Sequence, residues 1–463
     1  MRATRIGCGA IALLFVFAGL APIPVSEELR AQELGPGAAR TGLLSREDAL
    51  RDLQEWRELL LLVHPEPFAK VSQATFDKKW ETLTSDLPAS MPREDFFVRL
   101  AMLAALLRDS HTFVAPPSSP LGRLPVHVEA DEVFLVEQVG SLPAGSRIER
   151  LEGEPIRDLL DRLRPLVGAE TKRGQDAVMP RFLTLRTDHR FDDGVDLFGV
   201  SPFGMAAEAT LAKKLLRARR EPAVDAEFLE GNVMYLRVQT MAGPDPVLYG
   251  EWFDDLFRTM SEEDVAGLVI DLRGNAGGST VVGDILLSYI TDRPYRLFAE
   301  KRWRVSTVMQ AQVRAHNPWM RSYVEAAPGE QLVLEAPLQE PAPRRFRFLG
   351  PTVVLIGPAT GSAAMMTANA VRDLNLAVVL GHPTTTPPNF FGEVYRFTLP
   401  NSLLRGSIST AEFVRVSADP ANSEPVQPHL EMPAMPELLA MEQDLTLVRA
   451  VAVIHALARP AGR

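Results

Sequence analysis

Two glycine-rich turns in the second half of the chain have residue types suited to acyl-transfer chemistry. The first, residues 265–280, reads V-A-G-L-V-I-D-L-R-G-N-A-G-G-S-T, a buried-strand pattern followed by glycines and then by helical spacing over residues 281–289. Glycine lets backbone amides approach a ligand, and free amides at a helix N-terminus favour a phosphate or an oxyanion. The fixed spacings of phosphate loops do not occur here. The sequence therefore favours an oxyanion site, with a plain tight turn as the alternative.

The second turn carries the candidate nucleophile, Ser362. It follows the apolar run 352–356 in the sequence G-P-A-T-G-S-A-A-M-M, the position at which a nucleophile is held at the tip of a sheet. If the two strands are neighbours, the amides of Gly277, Gly278 and Ala363 would face the carbonyl that this hydroxyl attacks. The alternative is that Ser362 only caps the helix that follows.

A serine hydroxyl needs a general base, and His111 is the best candidate among the eight histidines. It lies at the end of a predicted helix in the polar sequence D-S-H-T, whereas its rival, His382, lies in the loop G-H-P-T. Glu424 and Glu393 are the candidates for the acid that orients the imidazole. No lysine follows Ser362, which excludes a lysine base downstream.

Other chemistries find little support in the residue pattern. There is no H-E-x-x-H and no pair of histidines at metal-ligand spacing, so we predict neither a metal nor a cofactor. We expect Asp271 and Arg273 to fix the first glycine turn by pairing or by hydrogen bonds to the backbone. The net charge of −10 argues against a nucleic-acid partner.

The remaining sequence predicts the elements that would position these residues. Apolar spacing predicts a helical region over residues 43–117, which ends at D-S-H-T, and short strands with one helix over residues 121–167. Residues 168–230 have little pattern and are assigned as a connecting region. From residue 231 to 463 strands and helices alternate, which predicts an α/β layered core with a largely parallel sheet.

The N-terminus has the order of charged, apolar and polar residues that is typical of a secretory signal peptide. Arg2 and Arg5 precede the apolar stretch, and cleavage near Ala31 or a little earlier would remove residues 1–32 together with Cys8, the only cysteine. We therefore expect a periplasmic or secreted protein without thiol chemistry and without stable membrane insertion after cleavage. An uncleaved anchor is the alternative.

Three motifs together resemble a known family of serine peptidases. The family comprises the carboxy-terminal processing proteases, the tricorn core and the interphotoreceptor retinoid-binding protein repeats. The motifs that resemble its elements are D-L-R-G-N-A-G-G-S at residues 271–279, A-T-G-S-A-A-M at 359–365 and G-H-P-T-T-T-P-P-N-F-F-G-E-V-Y-R-F-T-L-P-N-S at 381–402. The resemblance implies an α/β fold with a crotonase/ClpP-like layered core, an N-terminal helical bundle and, at residues 121–167, a short PDZ-like segment.

The resemblance also implies roles for individual residues. Ser362 would be the nucleophile, with oxyanion donors at Gly277, Gly278 and Ala363. The processing-protease branch uses a lysine base that this chain lacks, whereas the Ser-His pair of the tricorn branch matches Ser110 and His111. A glutamate before a V-x-P-D turn completes that site.

Glu424 is the implied counterpart of that glutamate. The expected function is thus an exported serine peptidase that acts on a polypeptide, near its C-terminus, through an acyl-enzyme. A non-catalytic protein that binds a peptide or an apolar ligand on the same scaffold, and a hydrolase of small esters or amides, are the alternatives. The oligomeric state remains open.

Overall fold

The computed structural model describes residues 4–6, 43–116, 124–183, 185, 194–212, 222–316, 320–441 and 443–458. The helices are α1 Arg46–Val63, α2 Gln73–Ser85, α3 Arg93–Ala105, α4 Ile156–Leu163, α5 Lys172–Val178, α6 Pro246–Glu262, α7 Thr280–Ile290, α8 Thr307–His316, α9 Arg321–Glu325, α10 Ser362–Asp373, α11 Met435–Leu439 and α12 Leu445–Ala458.

The strands of the described residues fall into three larger sheets and one small pair. They are β1 Thr4–Ile6, β2 Leu43–Ser45, β3 Ser90–Pro92, β4 Phe113–Val114, β5 Val126–Glu129, β6 Glu132–Leu135, β7 Arg147–Leu151, β8 Glu154–Pro155, β9 Gly194–Val200, β10 Ala206–Ala212, β11 Val224–Leu229, β12 Val233–Val238, β13 Gly267–Asp271, β14 Glu300–Arg304, β15 Gln331–Glu335, β16 Thr352–Ile356, β17 Val378–Gly381, β18 Phe390–Thr398, β19 Arg405–Val414 and β20 Leu430–Glu431.

The core sheet has the order β11-β12-β13-β16-β17-β20, and it is parallel from β12 to β20. All residues of β13 and β16 are buried, as expected of strands covered on both faces. Val269, Val353 and Leu355 face α12, whereas alternate residues such as Ile270 and Val354 lie in the large cluster shared with α6, α7 and α10. The α/β layering predicted for residues 231–463 is therefore present.

The order of the core sheet places the two glycine-rich turns side by side. β13 and β16 are adjacent parallel strands, with Asp271 in register with Leu355. Each strand runs directly into one of the two turns. Ligand sites in such sheets form at the carboxyl ends of the strands, so the site is expected at this edge.

A second sheet connects the helical front of the chain to the core. Its order is β1-β15-β14-β19-β18, and β4 pairs with β19 through Phe113 with Ser407 and Val114 with Gly406. The side chain of Asp52 on α1 accepts hydrogen bonds from Ser402 N at 2.6 Å and from the Asn401 amide at 2.8 Å. The hydrogen bonds of Asp52 hold α1 against the turn that precedes β19. The pairing of β4 holds the adjacent D-S-H-T segment against β19 itself.

A third sheet extends further along the chain than the sequence indicated. It has the order β10-β9-β7-β6-β5, with β8 on β7, and therefore includes β9 and β10 from the segment assigned as the connecting region 168–230. β11, from the end of the same segment, pairs with β12 in the core sheet. The pairing of β9 with β7 joins strands more than 40 residues apart, which no local pattern reveals.

Most of the predicted signal peptide, residues 1–32, lies outside the described residues. Only β1 is described, and it pairs in parallel with Leu332–Leu334 of β15. No helix in the described part of the chain has the length and apolar character to cross a membrane.

Candidate active site

The two glycine-rich turns are joined directly by hydrogen bonds. Gly361 N donates to the carbonyl oxygen of Asn275 at 2.9 Å, and Thr360 Oγ1 donates to Leu272 O at 2.7 Å. Asn275 is fully buried, and its Nδ2 donates to Val238 O at 2.9 Å. This bonding fixes the nucleophile turn and the first glycine turn as one unit.

The amide of Gly277 is already used within the turn, which corrects the prediction of three oxyanion donors. Gly277 N donates to Asn275 Oδ1 at 2.8 Å. Met241 N donates to Gly277 O at 3.1 Å and Ser279 N donates to Met241 O at 2.8 Å. Because the N–H of a trans peptide points opposite to its C=O, the Gly278 N–H points away from Met241. Gly278 is therefore the donor that the first turn can offer.

Ser362 begins α10 in a conformation that non-glycine residues rarely adopt. Its φ is 45°, in the left-handed region where strain concentrates at functional sites. Within the described chain, the amides of Ala363 and Gly278 have no hydrogen-bond partner. A Cβ placed on Gly277 would lie 2.9 Å from Ala363 N, so the first turn packs directly against the amide that follows Ser362. This pair of amides can stabilise an oxyanion beside the hydroxyl.

Gly277→Ala is expected to disturb this packing far more than Gly274→Ala. Gly277 has a φ of 103°, and a Cβ there would lie 2.6 Å from Ser362 Cβ and 2.8 Å from Gly361 O. A Cβ on Gly274 would meet only the end of the Gln239 side chain, at 3.6 Å. We expect the first variant to lose about 1–3 kcal/mol in the free energy of unfolding and the control to lose much less. Urea unfolding measures both, and equal losses would contradict the close approach.

His111 lies beside Ser362 although 251 positions separate them in the chain. His111 Nε2 is 3.3 Å from Ser362 Oγ, which is within reach for a general base without substrate. Ser407 Oγ on β19 donates to His111 O at 2.6 Å, and the ring contacts that of Phe390 with 5.4 Å between centroids. The predicted nucleophile and base are thus brought together.

Behind His111, a serine and a glutamate continue the hydrogen-bonded chain. Ser110 Oγ is 3.3 Å from His111 Nδ1 and donates to Glu170 Oε1 at 3.0 Å, while Ser110 N donates to the same oxygen at 3.2 Å. Since the serine hydroxyl donates to the carboxylate, it is free to accept the Nδ1–H of the imidazole. The order is therefore nucleophile, imidazole, serine, carboxylate.

The glutamate at this position is Glu170 and not the predicted Glu424. Glu424 is exposed, and its amide donates to Asn422 Oδ1 at 3.0 Å. Glu170 is half-buried, and its Oε2 is shielded from solvent without a hydrogen-bond partner. Glu170 follows V-G-A in the segment that showed little pattern, so no local signal distinguished it. Only the contact with Ser110, 60 residues away, reveals it.

The other two candidates from the sequence also lie elsewhere. His382 Nε2 contacts Pro433 O at 2.6 Å. Glu393 forms an ion pair with the buried Lys301 and accepts a hydrogen bond from Trp303 Nε1 at 3.4 Å. These contacts give both residues structural roles.

Asp271 and Arg273 hold the start of the first turn, as expected. Arg273 N and Nε donate to Asp271 Oδ1 at 2.9 and 3.0 Å. Arg273 Nη2 also bonds to Asp444 Oδ2 at 2.6 Å, just before α12, and Tyr235 OH donates to Asp271 Oδ2 at 2.8 Å. The turn is therefore tied to β12 and to the helix on the outer face.

The electrostatics suit an imidazole that accepts a proton. Burial lowers the pKa of His111, against the opposing effects of the Asp109 carboxylate and the Phe391 backbone, so the ring is neutral at neutral pH. Burial, and then the negative charge of Asp109, raise the pKa of Glu170 to about 7, although hydrogen bonds from Ser110 act in the opposite direction. The carboxylate next to the relay therefore ionises in the neutral pH range.

The raised pKa of Glu170 predicts a pH-dependent stability that Glu170→Gln removes. The folded protein keeps this proton up to about pH 7, whereas an unfolded chain releases it near pH 4.5. The folded state then binds more protons, so stability falls as pH rises from about 4.5 to 7, and the loss persists above that range. Thermal unfolding of both proteins at several pH values measures this effect. As pH rises from about 4.5 to 7, the melting temperature of wild type should fall relative to that of Glu170→Gln. The same pH dependence of the melting temperature in both proteins would contradict the raised pKa of Glu170.

One group of side chains has the atom types of a metal site. Among the described residues, ligand atoms of Asp109, His111 and Glu170 lie within 4.8 Å of one another. Hydrogen bonds already engage these groups: Asp109 Oδ1 accepts from His111 N at 2.9 Å, and Glu170 accepts from Ser110. The bonding pattern is that of an acid–base relay.

A serine hydroxyl on a strained turn, an imidazole within reach of it and two adjacent unpaired amides are the arrangement of a serine hydrolase. The sequence model of peptidase family S41 matches residues 232–432, which span nearly the whole core sheet. The matched segment contains both glycine-rich turns, which confirms the resemblance drawn from the motifs and points to a serine peptidase. A comparison with curated protein sequences gave no match.

Solved structures of mature CPAF share this fold at low sequence identity. Mature CPAF complexed with lactacystin is similar with a TM-score of 0.64 at 18% identity, over 89% of this chain and 99% of that chain. Mature CPAF alone gives 0.61 at 18% identity, over 89% and 98%. The photosystem II D1 C-terminal processing protease gives 0.48 at 16% identity, over 89% and 98%.

Proposed function

We propose that this chain is an exported serine peptidase in which Ser362 is the nucleophile and His111 the general base. The observation that carries the proposal is the 3.3 Å contact between His111 Nε2 and Ser362 Oγ. It lies beside the amides of Gly278 and Ala363, where a substrate carbonyl can meet a nucleophile and two donors together.

The reaction follows from these contacts in two stages. Ser362 Oγ attacks the carbonyl carbon while its proton moves to His111 Nε2, and the oxyanion is held by the Gly278 and Ala363 amides. The imidazolium then gives its proton to the leaving amine, which departs. In the second stage a water molecule loses a proton to His111 and attacks the acyl-enzyme, which releases the acid and restores Ser362.

Ser110 and Glu170 support the charge that appears on His111. The imidazolium Nδ1–H donates to Ser110 Oγ, whose own hydrogen donates to Glu170 Oε1. An ionised carboxylate at the end of this chain stabilises the imidazolium. Because the pKa of Glu170 is raised to about 7, this support increases as pH rises through neutrality.

We also propose cleavage near polypeptide C-termini and a periplasmic or secreted location. The first rests on the motifs shared with carboxy-terminal processing proteases, and the second on the charged, apolar and polar order of residues 1–32. N-terminal sequencing of protein recovered from the periplasm or medium tests export. A chain that still begins at Met1 in the cytoplasmic fraction would contradict it.

Hydrolysis of peptides with free and with amidated C-termini tests the activity and its specificity. Ser362→Ala is the matched control for contaminating proteases. We expect the wild-type protein to cleave the peptide with a free C-terminus faster than its amide, and the variant to cleave neither. Cleavage of small esters alone would favour the alternative of a small-molecule hydrolase, and equal cleavage by both proteins would contradict catalysis by Ser362.

A further inference from the structure

Asp109 holds the backbone of His111 through a second set of hydrogen bonds, separate from those of Ser110 and Glu170. Its side chain is 1% exposed. Oδ1 accepts the His111 backbone N–H at 2.9 Å, while Oδ2 accepts from Ser409 Oγ at 2.7 Å and lies 3.2 Å from His64 Nε2. A buried carboxylate requires such donors to remain ionised. His64 and Ser409 come from distant parts of the chain, so each can be altered separately.

The proton on His64 can be assigned from its surroundings. Glu66 N donates to His64 Nδ1 at 3.1 Å, so Nδ1 is an acceptor and Nε2 carries the proton of the neutral ring. That proton is donated to Asp109 Oδ2. His64 follows α1, its own N–H bonds to Leu60 O at 3.0 Å, and its ring packs on Phe391 with 4.6 Å between centroids. The ring is therefore a fixed donor.

Ser409, on β19, forms hydrogen bonds with Asp109 and Thr112, the residues on either side of Ser110 and His111. Its hydroxyl donates to Asp109 Oδ2 at 2.7 Å, and its amide donates to Thr112 Oγ1 at 3.0 Å. Together with the bond from Ser407 to His111 O, these contacts fix the backbone on either side of the imidazole. A strand of the second sheet thus sets the position of the base.

We propose that His64 and Ser409 are positioning residues that act through Asp109 to hold His111 in line with Ser362. This inference rests on the proposed function. Burial opposes ionisation of Asp109, but the hydrogen bonds that its carboxylate accepts, first that from His64 and then that from Thr112, outweigh burial and lower its pKa. The ionised Asp109 in turn favours the protonated imidazole, so His64 influences both the placement of the base and its charge, whereas Ser409 contributes to its placement.

The rate of labelling by a fluorophosphonate probe tests the proposal without knowledge of the natural substrate. Its dependence on probe concentration separates the maximal rate constant from the concentration at half-saturation. His64→Phe keeps a ring against Phe391 but removes the donor, whereas His64→Gln retains a nitrogen donor near the Nε2 position. We expect the maximal rate to fall roughly 10- to 100-fold in the first variant and to recover most of the way in the second. The probe concentration at half-saturation should be the same in both variants as in the wild-type protein.

Two further variants make the outcome decisive. Ser409→Ala removes the second donor to Asp109 and should also slow labelling, even if His64→Phe fails to fold. Ser362→Ala should not be labelled at all. Labelling of Ser362→Ala at the wild-type rate would overturn the proposed function itself. If Ser362→Ala is unlabelled, a wild-type rate in folded His64→Phe or Ser409→Ala would overturn only the positioning role, as would a loss in His64→Gln equal to that in His64→Phe.

Discussion

Replacing Ser362 by alanine is expected to lower kcat/KM for peptide hydrolysis by on the order of a million-fold, which is the size seen when a peptidase loses its serine nucleophile. No other group in the described site can replace it, because the Ser362 hydroxyl is the group that lies between the His111 imidazole and the amides of Gly278 and Ala363. Hydrolysis of a fluorogenic peptide at several protein concentrations measures the loss.

Ser141→Ala is a suitable control for this change. The Ser141 hydroxyl donates to Glu208 O at 3.1 Å on the third sheet, so its loss removes one hydroxyl of the same type away from the site. The control should keep wild-type activity. Residual activity in Ser362→Ala above about one thousandth of wild type would mean that the assignment of the nucleophile is wrong.

Replacing His111 by alanine is the second large effect, and we expect a loss comparable to that of Ser362→Ala. A nucleophile and its base act as a unit, so the double variant should be little worse than either single one. The loss arises because the hydroxyl proton has no acceptor within reach once Nε2 is removed. Measurements of kcat/KM for the three variants test this non-additivity.

His382→Ala is the matched control, since His382 was the rival base in the sequence. The structure places its Nε2 against Pro433 O, so we expect wild-type kcat/KM. A large loss of kcat/KM in His382→Ala together with wild-type kcat/KM in His111→Ala would show that His111 is not the general base for Ser362.

A non-catalytic binding protein on the same scaffold makes the opposite prediction for both variants. It would bind its ligand equally well with or without the Ser362 hydroxyl. The S41 match, the strained φ of 45° at Ser362 and the contact with His111 favour catalysis. Strain of this kind persists where a function requires it.

The parts of the site that the sequence revealed are those carried by local motifs. Ser362 and Ala363 were recognisable because a strand, a glycine turn and a helix follow one another within a few residues, and Gly278 lies in a second such turn. His111 was recognisable from its polar context at the end of a helix. Their convergence depended on the adjacency of β13 and β16, which the alternation of strands and helices made probable but did not determine.

The parts that the sequence did not reveal depend on contacts between distant residues. Glu170 has no motif of its own and acquires its role only through Ser110, 60 positions earlier. Gly277 was grouped with the oxyanion donors because glycines look equivalent in the sequence, yet its amide bonds to Asn275 Oδ1. β9 likewise shows no local signal, because the strand that it pairs with, β7, lies in another segment of the sequence.

Mass-spectrometric mapping of the residue modified by a fluorophosphonate probe tests the central claim most directly. The meeting of Ser362 with His111 predicts one adduct, on Ser362, in the wild-type protein, and almost none in His111→Ala under the same conditions. An adduct on a different serine, or equal modification of Ser362 with and without His111, would contradict the account.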